Sequence, residues 1–203
     1  LTGGRIALQI YGRLAELVVD SELDPARLEL WWGDERFVPT DDPERNAGPT
    51  LAALAGRFPL APSRTHPMPA AEGLIDASAG AAAYAKELGD TRFDLVLLGM
   101  GEDGHVASVF PSHLSGEPTT QTVIGVSDSP KLPGERISLT IGALSNSGQV
   151  WFLVSGEEKA AALRRALGGD DSIPAARVHG EEATLWLVDQ AAASELPYFE
   201  CSV

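Results

Sequence analysis

A chain of 203 residues, 44% hydrophobic and 22% charged, has the length and composition of a globular protein that buries a core without disulfides or metals. Its formal charge of −14, from 29 acidic and 15 basic residues, opposes binding to nucleic acid and to anionic membranes, and no apolar run approaches a membrane span. The same charge repels phosphorylated small molecules at long range, so an anion site has to be built locally from a few basic side chains and backbone N–H groups.

The chain opens on Leu1-Thr2-Gly3-Gly4, which reads like the end of a strand and its turn, and residues ahead of Leu1 are expected. Apolar periodicity predicts a helix over Ile6–Val19 and a strand over Leu28–Trp32. Further helices are predicted over Pro49–Leu54, Ala77–Leu88, Ile141–Ser145, Lys159–Leu167 and Gln190–Leu196. Further strands are predicted over Phe93–Leu98, Thr122–Val126, Arg136–Thr140, Val150–Val154 and Thr184–Val188. Ser155 is the cap candidate for the Lys159–Leu167 helix. Runs such as Asp94-Leu95-Val96-Leu97-Leu98 carry apolar residues on both faces, as strands covered by helices on both sides do. The alternation predicts one three-layer α/β domain over residues 1–203, with a mostly parallel sheet. Phe58–Ala71 and Pro111–Gln121 read as loops. The single cysteine, Cys201, cannot close an internal disulfide, so a reducing, cytoplasmic setting is expected. A monomer is favoured.

Ligands of such sheets sit beyond the carboxyl ends of the strands. Three strand ends run into polar segments: Gly33-Asp34-Glu35-Arg36, Gly99-Met100-Gly101-Glu102-Asp103-Gly104-His105 and Ser155-Gly156-Glu157-Glu158-Lys159. In the second, glycines let the backbone turn sharply and approach a ligand. Val106–Phe110 reads as a short helix ended by Pro111, with His105 in its first turn, where the positive helix end favours a neutral imidazole able to accept a proton. Asp103 can orient that imidazole. The segment also matches Gly-x-Gly-x-x-Gly, but Glu102 and Asp103 would stand where a pyrophosphate must bind, so a dinucleotide site is set aside. Arg36 can donate to ring hydroxyls or a developing oxyanion, and Asp34 can accept from a sugar hydroxyl. Trp31 and Trp32 read as core residues rather than a sugar platform. Thr2-Gly3-Gly4 looks like a phosphate-cradling turn at a helix N-terminus, and Arg136 and Lys159 would supply the cations a dianion requires. His66, His113 and His179 show no ligand spacing, so no metal and no cofactor are expected.

These segments, in this order, resemble the 6-phosphogluconolactonases, in the superfamily that includes glucosamine-6-phosphate deaminase. The pieces are Leu1–Gly4, Trp32–Arg36, Arg45-Asn46, Leu98–Pro111, Arg136–Thr140, Ser155-Gly156 with Lys159-Ala160, and Leu185–Asp189. Deaminases carry Asp-Glu-Tyr where this chain has Asp34-Glu35-Arg36, and a glutamate where Phe110 precedes Pro111; that glutamate belongs to their proton relay. The resemblance therefore implies a lactonase rather than a deaminase, with a non-catalytic sugar-phosphate module as a further alternative. It implies a Rossmann-like, deaminase-type fold, hydrolysis of a sugar-phosphate lactone, His105 as base on water, and Asp103 and Gly104 shaping the motif. It also implies a phosphate held by Gly3, Gly4, Arg136 and Lys159, Asp34 and Arg36 lining the sugar, and Gly104 at the substrate. The oxyanion would be met by Arg36 or by backbone N–H groups around Gly104. Gly4 running directly into Arg5, and the short stretch after Pro111, are briefer than the family pattern.

Overall fold

The computed structural model describes residues 1–73 and 76–197; Cys201, on which the compartment expectation rests, lies outside the described residues. The helices are α1 (Arg5–Leu17), α2 (Ala47–Leu54), α3 (Ala77–Leu88), α4 (Ile141–Ser145) and α5 (Ala160–Leu167). The strands are β1 (Leu30–Trp31), β2 (Asp34–Arg36), β3 (Thr65–His66), β4 (Phe93–Gly99), β5 (Val123–Val126), β6 (Arg136–Leu139), β7 (Ser147–Val154) and β8 (Ala183–Val188). The α/β class is as expected, and α3 and α4 match their predicted bounds. No helix is long and apolar enough to cross a membrane among the described residues.

The strands form three small sheets rather than one. β4-β7-β8 and β1-β3 are parallel, whereas β2-β6-β5 is antiparallel. The register Leu98↔Phe152↔Trp186 places Phe152 and Trp186 in a stack with ring centroids 3.9 Å apart. Leu98, Phe152 and Leu163 of α5 are fully buried in the main core. A smaller core beneath α1 is built from Ala7, Tyr11, Ala15, Leu54 and Phe58. β5 and β6 are joined by 127–135, too short for a parallel crossover of about a dozen residues, which accounts for their antiparallel pairing.

Trp31 and Trp32 are core residues, as expected. Trp31 stacks on His66 at 3.9 Å, and the Tyr84 hydroxyl accepts from Trp32 N at 2.9 Å and donates to His66 O at 3.1 Å.

Five local expectations need correction. Phe58–Ala71 is not all loop: Thr65–His66 is strand β3, drawn into a parallel pair by Leu30 and Trp31 of β1. Val106–Phe110 is not a helix: Val106 and Val109 exchange backbone hydrogen bonds across a tight turn, with Ala107 at φ 48°. Gln190–Leu196 is a succession of turns: Asp189 accepts from Ala192 N at 2.7 Å, but Ser194 N and Leu196 N bond to carbonyls only three residues back. Asp34–Arg36, expected as a polar segment beyond a strand end, is itself strand β2. Ser155 caps nothing; Gly156 takes the position ahead of the 3₁₀ turn Glu157–Lys159 that leads into α5.

Candidate active site

A cleft of about 520 Å³ opens where β2, β4 and β7 end and β6 begins, against the start of α1. It is lined by Gly3, Gly4, Asp34, Arg36, His105, Arg136 and Lys159, among others. Seven of the nine site residues expected from sequence thus meet in one place. Asp103 stands behind His105, and Gly104 does not line the cleft.

His105 follows β4 on a turn closed by Gly101 N donating to His105 O at 2.9 Å and Gly104 N donating to Gly101 O at 3.0 Å. A Cβ on Gly101 would lie 2.0 Å from His105 Nδ1, so only glycine lets the ring fold back here. Nδ1 meets Asp103 Oδ1 at 2.5 Å. Burial opposes ionisation of Asp103, but the hydrogen bond and charge of His105 outweigh it and hold the carboxyl down at about 2. An ionised Asp103 accepts the Nδ1 hydrogen, which leaves a lone pair on Nε2. The carboxylate, not a helix terminus, therefore sets the imidazole's form. On its other side the ring meets the fully buried Phe110 at 4.7 Å between centroids.

Side chains alternate along β2, so Asp34 and Arg36 share one face and Glu35 takes the other. The register Asp34↔Ser138 and Arg36↔Arg136 sets two arginines opposite each other. Opposed like charges destabilise a strand pair, so this placement carries a cost and marks the face that lines the cleft. Arg36 is paired with Glu44 at 3.7 Å, while its buried Nε makes no hydrogen bond among the described residues. The buried Asp34 accepts from Ser108 Oγ at 2.7 Å on Oδ2, and Asn46 Nδ2 donates to its backbone oxygen at 3.1 Å. Arg136 Nη1 donates to the same Ser108 Oγ at 3.4 Å.

Sequence reasoning missed the groups that hold this face. Glu35, fully buried, accepts from Arg36 N at 2.8 Å, Asn46 N at 2.7 Å and Ala47 N at 2.9 Å, with Arg45 at 3.7 Å. Burial pushes its carboxyl up, against the pull of those donors. A carboxylate at the start of α2 is favourably placed, and it locks Asn46 beside Gly3, where a Cβ would lie 2.1 Å from the Asn46 amide oxygen. Tyr11 OH accepts from Thr2 N at 2.8 Å and donates to Thr2 O at 2.9 Å, fixing the turn at the head of α1. Asp189 holds the Lys159 turn by accepting from Ser155 Oγ at 2.7 Å and Gly156 N at 3.2 Å. Lys159 itself lies 3.9 Å from Glu102. The pattern Asp34-Glu35-Arg36 followed by Arg45-Asn46 was the one visible signal for Glu35 and Asn46.

Gly104 shapes the turn at φ 84°, while its N–H is committed to Gly101 O and its carbonyl accepts from Ala175 N at 3.0 Å, so its backbone faces the turn rather than a substrate.

An α/β scaffold whose strand ends gather a carboxylate-oriented histidine, an arginine pair and glycine turns defines a sugar-phosphate enzyme class. Residues 1–186 match the family described as glucosamine-6-phosphate isomerases/6-phosphogluconolactonase. A 6-phosphogluconolactonase of Streptomyces coelicolor is 47% identical over 97% of this chain and 81% of its own length. One of Mycobacterium leprae is 43% identical over 97% of this chain and 84% of its own. The crystal structure of the 6-phosphogluconolactonase from Thermotoga maritima superposes with a TM-score of 0.81, at 33% identity, over 92% of this chain and 82% of that one. The chain belongs to the glucosamine-6-phosphate isomerase/6-phosphogluconolactonase family.

Proposed function

We propose that the chain hydrolyses 6-phospho-D-glucono-1,5-lactone to 6-phospho-D-gluconate, the lactone-opening step of the oxidative pentose phosphate pathway. The observation that carries this reading is a histidine oriented by a carboxylate, sharing its cleft with a guanidinium whose buried Nε–H lacks an acceptor among the described residues.

His105 Nε2 takes a proton from water as the water oxygen bonds to the lactone carbonyl carbon. Arg36 meets the tetrahedral oxyanion, since the N–H groups of Gly104, Gly101 and Val106 are committed within the turn. Collapse breaks the bond from that carbon to the ring oxygen, which takes the proton back from His105. The new carboxylic acid releases a proton to solvent, so one water is consumed and one proton leaves with each turnover. Asp34 orients the ring hydroxyls, and Gly3, Gly4, Lys159 and Arg136 form the phosphate end. The chain acts as one α/β unit.

Phe110 favours hydrolysis over deamination. An apolar ring faces His105 where an isomerase relay needs a carboxylate. The test is the decay of freshly made 6-phosphogluconolactone against its spontaneous background, run beside ammonia release from glucosamine 6-phosphate. Accelerated decay without ammonia is expected; ammonia release, or binding of sugar phosphates without turnover, would contradict the reading.

A further inference from the structure

Arg136 was expected to grip the phosphate directly, yet little of its guanidinium is left to do so. Its Nε donates to Pro133 O at 3.0 Å, and its Nη2 donates to Lys131 O at 2.9 Å and Leu132 O at 3.1 Å. Nη1 already reaches Ser108 Oγ. A guanidinium has five N–H groups, so at most one remains for a ligand. With 4% exposure, Arg136 works as the hub of the loop 127–135 that joins β5 to β6.

What that hub delivers is Lys131. Its backbone is gripped from two sides, by Arg136 and by the buried Ser129. The Ser129 hydroxyl donates to Lys131 O at 2.9 Å and accepts from Lys131 N at 3.3 Å. Ser129 N donates to Gly134 O at 3.0 Å, which closes the loop on itself. Lys131 lines the cleft. Arg36 and Lys159 in the same lining each have a glutamate within 4 Å. Among the described residues no carboxylate stands that near the Lys131 ammonium. A loop so closely tied, in a chain of net charge −14, places an unneutralised cation at the cleft wall.

We propose that Lys131 is a ligand of the substrate phosphate, presented by an Arg136–Ser129 clasp, so that Arg136 serves the phosphate mainly through Lys131. This rests on the sugar-phosphate reading above, but it concerns binding and is testable without turnover. Calorimetry with 6-phosphogluconate and glucose 6-phosphate, on the wild-type chain and on Lys131→Met and Lys131→Arg, separates the possibilities, because both probes carry the phosphate and one also carries a carboxylate. A hydrogen bond to a charged group accounts for roughly a ten- to hundredfold change in affinity. Lys131→Met should weaken both probes by about that factor and by the same amount, Lys131→Arg should restore most of it, and thermal stability should not move. Weakening of 6-phosphogluconate alone would place Lys131 at the carboxylate end and overturn the proposal. Unchanged binding of both probes by Lys131→Met would overturn it as well. Failure of the wild type to hydrolyse the lactone, with the binding pattern intact, would fault the reaction and leave Lys131 as a phosphate ligand.

Discussion

The hydroxyl of Ser108 can point only one way. A guanidinium cannot accept and a carboxylate cannot donate, so Ser108 accepts from Arg136 and donates to Asp34. This buried side chain joins the turn after His105 to β2 and β6, and its own N–H donates to Ser138 Oγ at 3.1 Å. Ser108→Ala would leave a buried Asp34 oxygen without its donor, at a cost of about 1–3 kcal/mol. The expected result is a chain that unfolds at lower urea and turns over more slowly, since Asp34 no longer holds one orientation. A variant with wild-type stability and wild-type kcat/KM would show that the link is idle. None of this was legible beforehand, because Ser108 fell in a stretch read as helix. His105 and Asp103 were legible because their partnership is local: two residues apart on a glycine turn, they meet without help from the rest of the fold.

At the level of elements, apolar periodicity located most helices and strands, because packing enforces it. α3 reads clearly, with Asp76 as cap accepting from Ala79 N and Gly89 at its end. What periodicity does not carry is strand direction or long-range pairing. β2 was hidden because three charged residues do not look like a strand, and they form one only because β6 supplies the ladder. Gln190–Leu196 has helical composition, and Asp189 accepts from Ala192 N as a helix cap does, yet Ser194 N and Leu196 N reach back only three residues, to Ala191 O and Ala193 O, and the segment stays a run of turns. The same carboxylate links β8 to the phosphate end by holding the Ser155-Gly156 turn, and hydrogen bonds from Ala192, Ser155 and Gly156 keep it below the usual carboxylate range. Asp189→Ala should therefore loosen Lys159, raising KM for the phosphorylated lactone by roughly threefold to tenfold with kcat nearly kept, as loss of uniform binding does. A fall in kcat at constant KM, in the same steady-state assay, would contradict this.

For the molecule as a whole, acid is the condition that separates these groups. Asp103 is held at about 2 in the fold, below the ordinary value of about 3.9. Its folded value is depressed, so its contribution to stability is present above about pH 4 and is lost as pH falls toward 2. Glu35 acts in the opposite sense. Burial raises its carboxyl, so its contribution is present in acid and fades as pH rises through the raised value. Asp103→Asn should flatten the loss of stability between about pH 4 and pH 2, measured by urea unfolding across that range. Parallel profiles for variant and wild type would show that the Asp103–His105 bond adds no pH-dependent stability. The three-layer α/β class was readable from the order of elements, whereas the division into three sheets depends on contacts between residues far apart in the chain.

The central claim is that His105 is the base that activates water. It is tested most directly by the initial rate of hydrolysis of fresh 6-phosphogluconolactone by His105→Ala, with the spontaneous rate subtracted and folding checked by thermal melting. A positioned base is worth about 10²–10⁴ in rate, so a folded variant should lose turnover by that factor; turnover equal to wild type would contradict the mechanism.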